Sequence, residues 1–162
     1  MEKKIRQRCD IPEADRWATE DLYASDALWE EDLKKLEQLG ADLASYEGKL
    51  GSSAENLLGF MDKLEQVEVL ASQVANYASR KGDEDTRVAE YQAMNGKLMS
   101  ALVALNAGSS FQTPEIMAIS QQTLEEFYQT QPKLERYRRY LDDMRRMKDH
   151  VLSAEQEKLL AA

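Results

Sequence analysis

The side chains here that could take part in acid–base, nucleophilic or metal chemistry are one histidine, His150, one thiol, Cys9, and three groups of neighbouring carboxylates: Asp83-Glu84-Asp85, Glu125-Glu126 and Asp142-Asp143. A zinc peptidase helix needs two imidazoles four residues apart with a glutamate between them, and a di-iron bundle needs Glu-x-x-His pairs on two helices. His150, with Met147 three positions before it and Ala154 four after, completes neither set. It reads as a packing or capping residue near a helix end. Adjacent carboxylates point to different sides of a helix, so Glu125-Glu126 and Asp142-Asp143 do not converge on a substrate. Asp83-Glu84-Asp85 lacks the alternating oxygen ligands and the sixth-position glycine of a calcium loop, because Thr86-Arg87-Val88 follow at once. It reads as three acids at a helix N-terminus, set there by the dipole and the unpaired amides. Cys9 has no second cysteine to pair with, which suits a reducing compartment, and nothing beside it marks a nucleophile. No catalytic, cofactor-binding or metal-ligating residue is assigned.

One stretch is basic: Lys133, Arg136, Arg138, Arg139, Arg145, Arg146 and Lys148 outnumber Glu135, Asp142 and Asp143, with Tyr137 and Tyr140 interleaved. Alone it resembles a nucleic-acid patch. A chain of net charge −9 is repelled by phosphate backbones, and the stretch reads instead as a solvated helix facing acidic partners.

Those residues must be carried on helices. Leu, Ala and Met dominate the apolar set, and 162 residues hold only three Pro and seven Gly. With 43% hydrophobic and 31% charged residues the chain is a globular one, long enough to close one core. The longest apolar stretch, Leu98 to Ala107, is broken by Ser100 and Asn106 and falls short of the roughly 20 residues of a membrane span. Basic residues open the chain without a signal-peptide apolar core behind them, so a cytoplasmic location is expected.

Three long helices of more than twenty residues are predicted to pack as an antiparallel bundle. The first follows a Ser25-Asp26 cap and buries Trp29, Leu33, Leu36, Leu43 and Tyr46, ending at Gly48 to Gly51. The second starts at a Ser52/Glu55 capping box, carries Leu57, Met61, Leu64, Val67, Leu70, Val74 and Tyr77, and stops at Gly82. The third opens at Asp83-Glu84-Asp85, sets Val88, Tyr91, Leu98, Leu102 and Leu105 on a seam interrupted by Asn95, and ends at Gly108. Shorter helices follow: one capped by Thr113 with Pro114 at its first position, one restarted by Thr123/Glu126 and broken at Pro132, and one over Lys133–His150. A last helix begins at Ser153/Gln156 and runs apolar through Leu159-Leu160 without a stop signal. The expected architecture is all-α, a bundle over residues 1–110 and the start of a second helical region over 111–162, truncated inside a helix.

A run of landmarks carries a resemblance: Arg16-Trp17-Ala18-Thr19-Glu20-Asp21-Leu22-Tyr23 with Trp29-Glu30, then Tyr46-Glu47-Gly48-Lys49-Leu50, Asn76-Tyr77-Ala78 with Asp85, Phe111-Gln112-Thr113-Pro114-Glu115-Ile116, and the closing His150-Val151-Leu152-Ser153-Ala154-Glu155-Gln156-Glu157-Lys158-Leu159-Leu160. In this order they resemble the beginning of oligoendopeptidase F, a zinc peptidase of the thimet-oligopeptidase class. Ala18-Thr19 departs from the larger or more apolar residue expected after Trp17. The greater departure is that the zinc-binding H-E-x-x-H helix does not occur. The resemblance implies a non-catalytic, substrate-restricting wall of a cytoplasmic peptidase that hydrolyses short peptides. It implies zinc held by the parent chain rather than by these residues, and the missing catalytic half and oligopeptide substrates as partners. Net charge and the short apolar stretches point to neither nucleic acid nor membrane as partner, and the missing half would leave an apolar surface open to self-association. A free-standing helical scaffolding module is the competing expectation.

Overall fold

The computed structural model describes residue 6 and residues 8–146, and its regular elements are all helical. Short 3-10 turns at Arg8–Asp10, Glu13–Asp15 and Thr19–Asp21 precede α1 (Asp26–Ala44), α2 (Ala54–Glu84) and α3 (Ala89–Ser109). Then come α4 (Gln112–Ala118), α5 (Gln121–Thr130), a 3-10 segment (Pro132–Tyr137) and α6 (Arg138–Arg146). His150 and the helix expected from Ser153 lie outside the described residues.

Helices α1 to α3 pack on one another, and α2 runs against the other two. The Trp29 indole of α1 donates to the Val74 carbonyl of α2 at 2.9 Å, while Lys63, eleven residues earlier on α2, reaches Asp42 near the far end of α1 at 3.3 Å. Lys97 of α3 pairs with Glu30 of α1, and Gly40 leaves room for Leu105, so α1 and α3 run in the same direction. A β-carbon at Gly40 would come within 3.1 Å of Leu105.

Several helix boundaries depart from the sequence expectation. Ser25 caps α1 as expected, accepting from the Leu28 N–H, but α1 is 19 residues long. The hydroxyl that caps α2 belongs to Ser53, which accepts from the Asn56 N–H at 3.2 Å, while Ser52 takes the Asn56 side-chain amide. Gly82 does not end α2, which continues to Glu84. It is a close-approach position instead: a β-carbon there would sit 2.7 Å from the amide nitrogen of Asn95, which donates to the Ala78 and Tyr91 carbonyls at 3.0 Å each. Asn95 therefore ties α3 to α2 rather than breaking the seam. Thr113 does not cap α4; Phe111 precedes that helix without a side-chain cap, and Ser120, not Thr123, caps α5 by accepting the Thr123 N–H. Pro132 opens a 3-10 turn instead of the expected helix from Lys133; its ring keeps the preceding Gln131 out of the α region, at φ −134° and ψ 81°, and regular α6 starts only at Arg138.

The core lies in two clusters. One joins Tyr23, Trp29, Leu33, Val74, Tyr77, Met94, Leu98 and Ala101 in the middle of the three-helix unit. The other joins the far ends of α1 and α2 to the later helices, with Leu43, Leu50, Leu57 and Phe60 under Ile116, Leu124, Leu134 and Leu141, all eight fully buried. The loop between α1 and α2 is fixed from a distance: the Glu115 carboxylate accepts the backbone N–H of Gly48 at 2.5 Å and of Leu50 at 3.2 Å. Gly48 has φ +78°, a conformation open to glycine at little cost.

Candidate functional site

The acidic triplet sits at the wrong end of a helix for the role expected of it. Asp83 and Glu84 form the last turn of α2 and Asp85 follows it, where the helix dipole disfavours negative charge; α3 begins at Ala89 behind Val88, with no side-chain cap. Three arginines compensate. Arg80 lies 3.5 Å from Asp83, Arg8 pairs with Glu84, and Arg87 grips both oxygens of Asp85 at 2.8 and 2.7 Å while its backbone N–H donates to the same carboxylate. These bonds pull the Asp85 carboxyl down to about 2. The Glu84 side chain is 5% exposed, and Arg80 also covers the Trp17 ring at 5.3 Å. Glu84 and Arg80 thus anchor the opening segment, through Arg8 and Trp17, to the end of α2. Tyr23 and Tyr77 add to this anchorage, donating to Asp32 at 3.0 Å and Asp26 at 2.7 Å, their rings edge to face 5.2 Å apart. Burial holds both phenols far above the ordinary tyrosine range.

One member of each other carboxylate pair, Glu125 and Asp143, is taken up by the basic stretch, while Glu126 accepts from Gln122 at 3.0 Å. Arg138 forks onto Glu125 at 2.8 and 3.2 Å, holds Glu135, and covers the Tyr128 ring at 3.8 Å. Arg136 bridges Asp62 and Glu65 of α2, each at 2.7 Å. Asp143 lies between Arg139 and Arg146, and Arg145 donates to the Ile119 carbonyl. The acidic partners expected for this stretch are therefore on the same chain, and four of its arginines are neutralised rather than offered to a phosphate backbone. Among the described residues no three His, Cys, Asp or Glu side chains stand close enough to hold a metal ion. No described helix is long and apolar enough to cross a membrane.

What the fold assembles instead is a groove between two stretches of helix that are poor in charge. From Val69 to Ser79 α2 carries no charged residue, and from Tyr91 to Pro114 the one charge is Lys97, which is turned to Glu30 on α1. On this stretch Val69, Met99 and Val103 are exposed, at 65, 57 and 44%. Between α2 and α3 a groove of about 340 Å³ has an apolar floor from Leu64, Val67, Leu102 and Leu105, a rim of Asn106, Ser109 and Gln112, and one charged lining residue, Glu68. Gln112 donates to the Tyr140 hydroxyl at 2.7 Å, which ties α6 to the rim. The groove was missed in the sequence because Leu102 and Leu105 were assigned to a closed seam. The signal for it was the near absence of charge in α3.

Comparison with known proteins follows the same lines. A family model described as Oligopeptidase F matches residues 115–162. Oligopeptidase PepF of Bacillus subtilis is 29% identical over 99% of this chain and 24% of its own length. The plasmid oligoendopeptidase F of Lactococcus lactis subsp. cremoris is 32% identical over 97% and 26%. Group B oligopeptidase PepB of Streptococcus agalactiae is 30% identical over 95% and 26%. The crystal structure of oligoendopeptidase-F from Enterococcus faecium superposes with a TM-score of 0.76 at 31% identity, over 85% of this chain and 27% of that one. The chain thus spans about a quarter of the length of the relatives it matches. In sequence and in fold it corresponds to an N-terminal part of oligoendopeptidase F.

Proposed function

We propose that this chain supplies the non-catalytic, substrate-restricting wall of a cytoplasmic zinc metallo-oligopeptidase that hydrolyses short peptides. The observation that carries the proposal is the near end-to-end alignment with one quarter of several oligopeptidases, which accounts for a helical unit with no clustered metal ligands among its described residues. The described donors do not fit a zinc site, since no imidazole stands among them and no three of their His, Cys, Asp or Glu side chains converge. Zinc, which activates water and polarises the scissile carbonyl when bound, would belong to the remaining three quarters of such a protein. The contribution of these helices would be steric, a rigid wall that admits an extended peptide and excludes a folded chain. Division at about residue 110 into a three-helix unit and a second helical region is part of the same proposal.

The test is reassembly. Co-expression of this chain with an Enterococcus faecium oligoendopeptidase F lacking its own matching segment should restore hydrolysis of a short fluorogenic peptide but not of a folded protein. Failure of the soluble pair to turn over any peptide would favour a free-standing scaffold. Light scattering of the chain alone reads the self-association expected of an uncovered apolar face.

A further inference from the structure

We infer that the groove between α2 and α3 binds an oligopeptide by an apolar side chain flanked by a positive charge, an inference that deepens the proposed function and rests on its peptide-wall reading. The groove is concave and of a size to take one leucine-sized side chain with its neighbours, about 340 Å³. Its floor of Leu64, Leu102 and Leu105 rewards removal of apolar surface from water. Its electrostatics are as simple as a site's can be. Glu68 is the one charge in the lining, and the flanking stretches of α2 and α3 carry no cation that faces it, Lys97 being held by Glu30. The nearby Arg136 is bound between Asp62 and Glu65. A bound peptide's ammonium or a lysine or arginine side chain beside the apolar residue would be the complement of Glu68. The Asn106 amide on the same rim matches backbone N–H and C=O groups, which every peptide has, while Ser109 and Gln112, whose donors are turned to the Leu105 carbonyl and the Tyr140 hydroxyl, each keep an oxygen that can accept. The groove would thus select on one side chain and one charge while tolerating the rest of the sequence.

The experiment titrates the isotope-labelled 162-residue chain with the tetrapeptide amide Lys-Leu-Gly-Ser and, separately, with its acetylated Glu-Leu-Gly-Ser counterpart, following backbone amide resonances. The cationic probe should shift Ala71, Leu102 and Leu105, and the acidic probe should not. Two surface variants keep the test independent of folding. Glu68→Gln and Asn106→Lys should each weaken the cationic probe by about three- to fivefold and leave the chain's helicity unchanged. Absence of shifts at millimolar peptide, shifts mapping elsewhere, or an unaltered affinity in Glu68→Gln would overturn the inference. A silent groove together with active reassembly removes this inference alone; a binding groove with inactive reassembly removes the peptidase reading and leaves the peptide site.

Discussion

Replacement of Trp29 by alanine should cost more than any other single truncation at the beginning of this chain. Trp29 is 1% exposed, packs among Tyr23, Leu33, Val74 and Tyr77, and donates its indole N–H to the Val74 carbonyl at 2.9 Å. Deleting a buried large aromatic removes its transfer free energy and leaves a cavity, together about 3–5 kcal/mol. The lost indole donor adds little to this, because the Val74 carbonyl sits within α2 and keeps its helical partner. For a chain of this size, 4 kcal/mol lowers the thermal midpoint by roughly 8–16 °C and takes away a large part of a total stability of about 5–15 kcal/mol. Trp17 belongs to the same landmark, yet it is 51% exposed and touches the fold through Arg80, so Trp17→Ala should cost under about 1 kcal/mol. Urea unfolding followed by circular dichroism measures both, and Trp29→Phe, which keeps one ring but loses the indole N–H and some volume, should fall between them with a loss of about 1–2 kcal/mol. Equal losses for Trp17→Ala and Trp29→Ala, or a Trp29→Ala midpoint within about 3 °C of the parent, would refute the core as described.

Three further outcomes are expected. Leu98, 3% exposed, should not tolerate aspartate, whereas the half-buried Leu102 at the groove should, and thermal unfolding of Leu98→Asp and Leu102→Asp ranks them; the reverse order would place the groove on the wrong side of α3. Asp85 has a folded pKa depressed to about 2, so its contribution to stability is fully present above its unfolded value near 4 and is lost as pH falls through about 2. Carbon-detected titration should show this, and Arg87→Ala should raise the carboxyl part of the way back to its ordinary value, because the backbone N–H of residue 87 still donates to it. Glu115→Ala should cost about 1–3 kcal/mol and accelerate hydrogen exchange at Leu50, whose partly buried N–H loses its acceptor; unchanged exchange there would deny the Glu115 tether.

The long-period features were legible in the sequence. Apolar spacing of three and four placed Trp29, Leu33, Leu36 and Leu43 on the buried side of α1, and Leu57, Met61, Leu64, Val67, Val74 and Tyr77 on that of α2, as found. Boundaries were less legible because their signals compete: Ser52 and Ser53 are both good caps, and geometry chose the second. Gly82 resembles a stop signal, but its small size serves the approach of Asn95 from α3, a contact between helices that no short window contains. The acidic triplet was misread for the same reason, since moving the end of α2 by two residues changes which dipole the acids face. Glu115 is bound to amides 65 and 67 residues away, so its role has no local signature. The groove came from composition rather than periodicity, because α3 is apolar or small on most of its circumference.

The division of the core into two clusters sets an order of events during synthesis. The cluster around Trp29 is complete once Ala101 has left the ribosome. Leu43, Leu50, Leu57 and Phe60 must wait for Leu141, forty residues later, which at roughly 5–20 residues per second is about 2–8 s. During that interval the nascent chain holds a finished three-helix centre with a sticky end, and the end is closed by helices that arrive last. A ribosomal pause anywhere between Ser110 and Leu141 would lengthen the exposure of that end and call for a chaperone, while a pause after Leu141 would not.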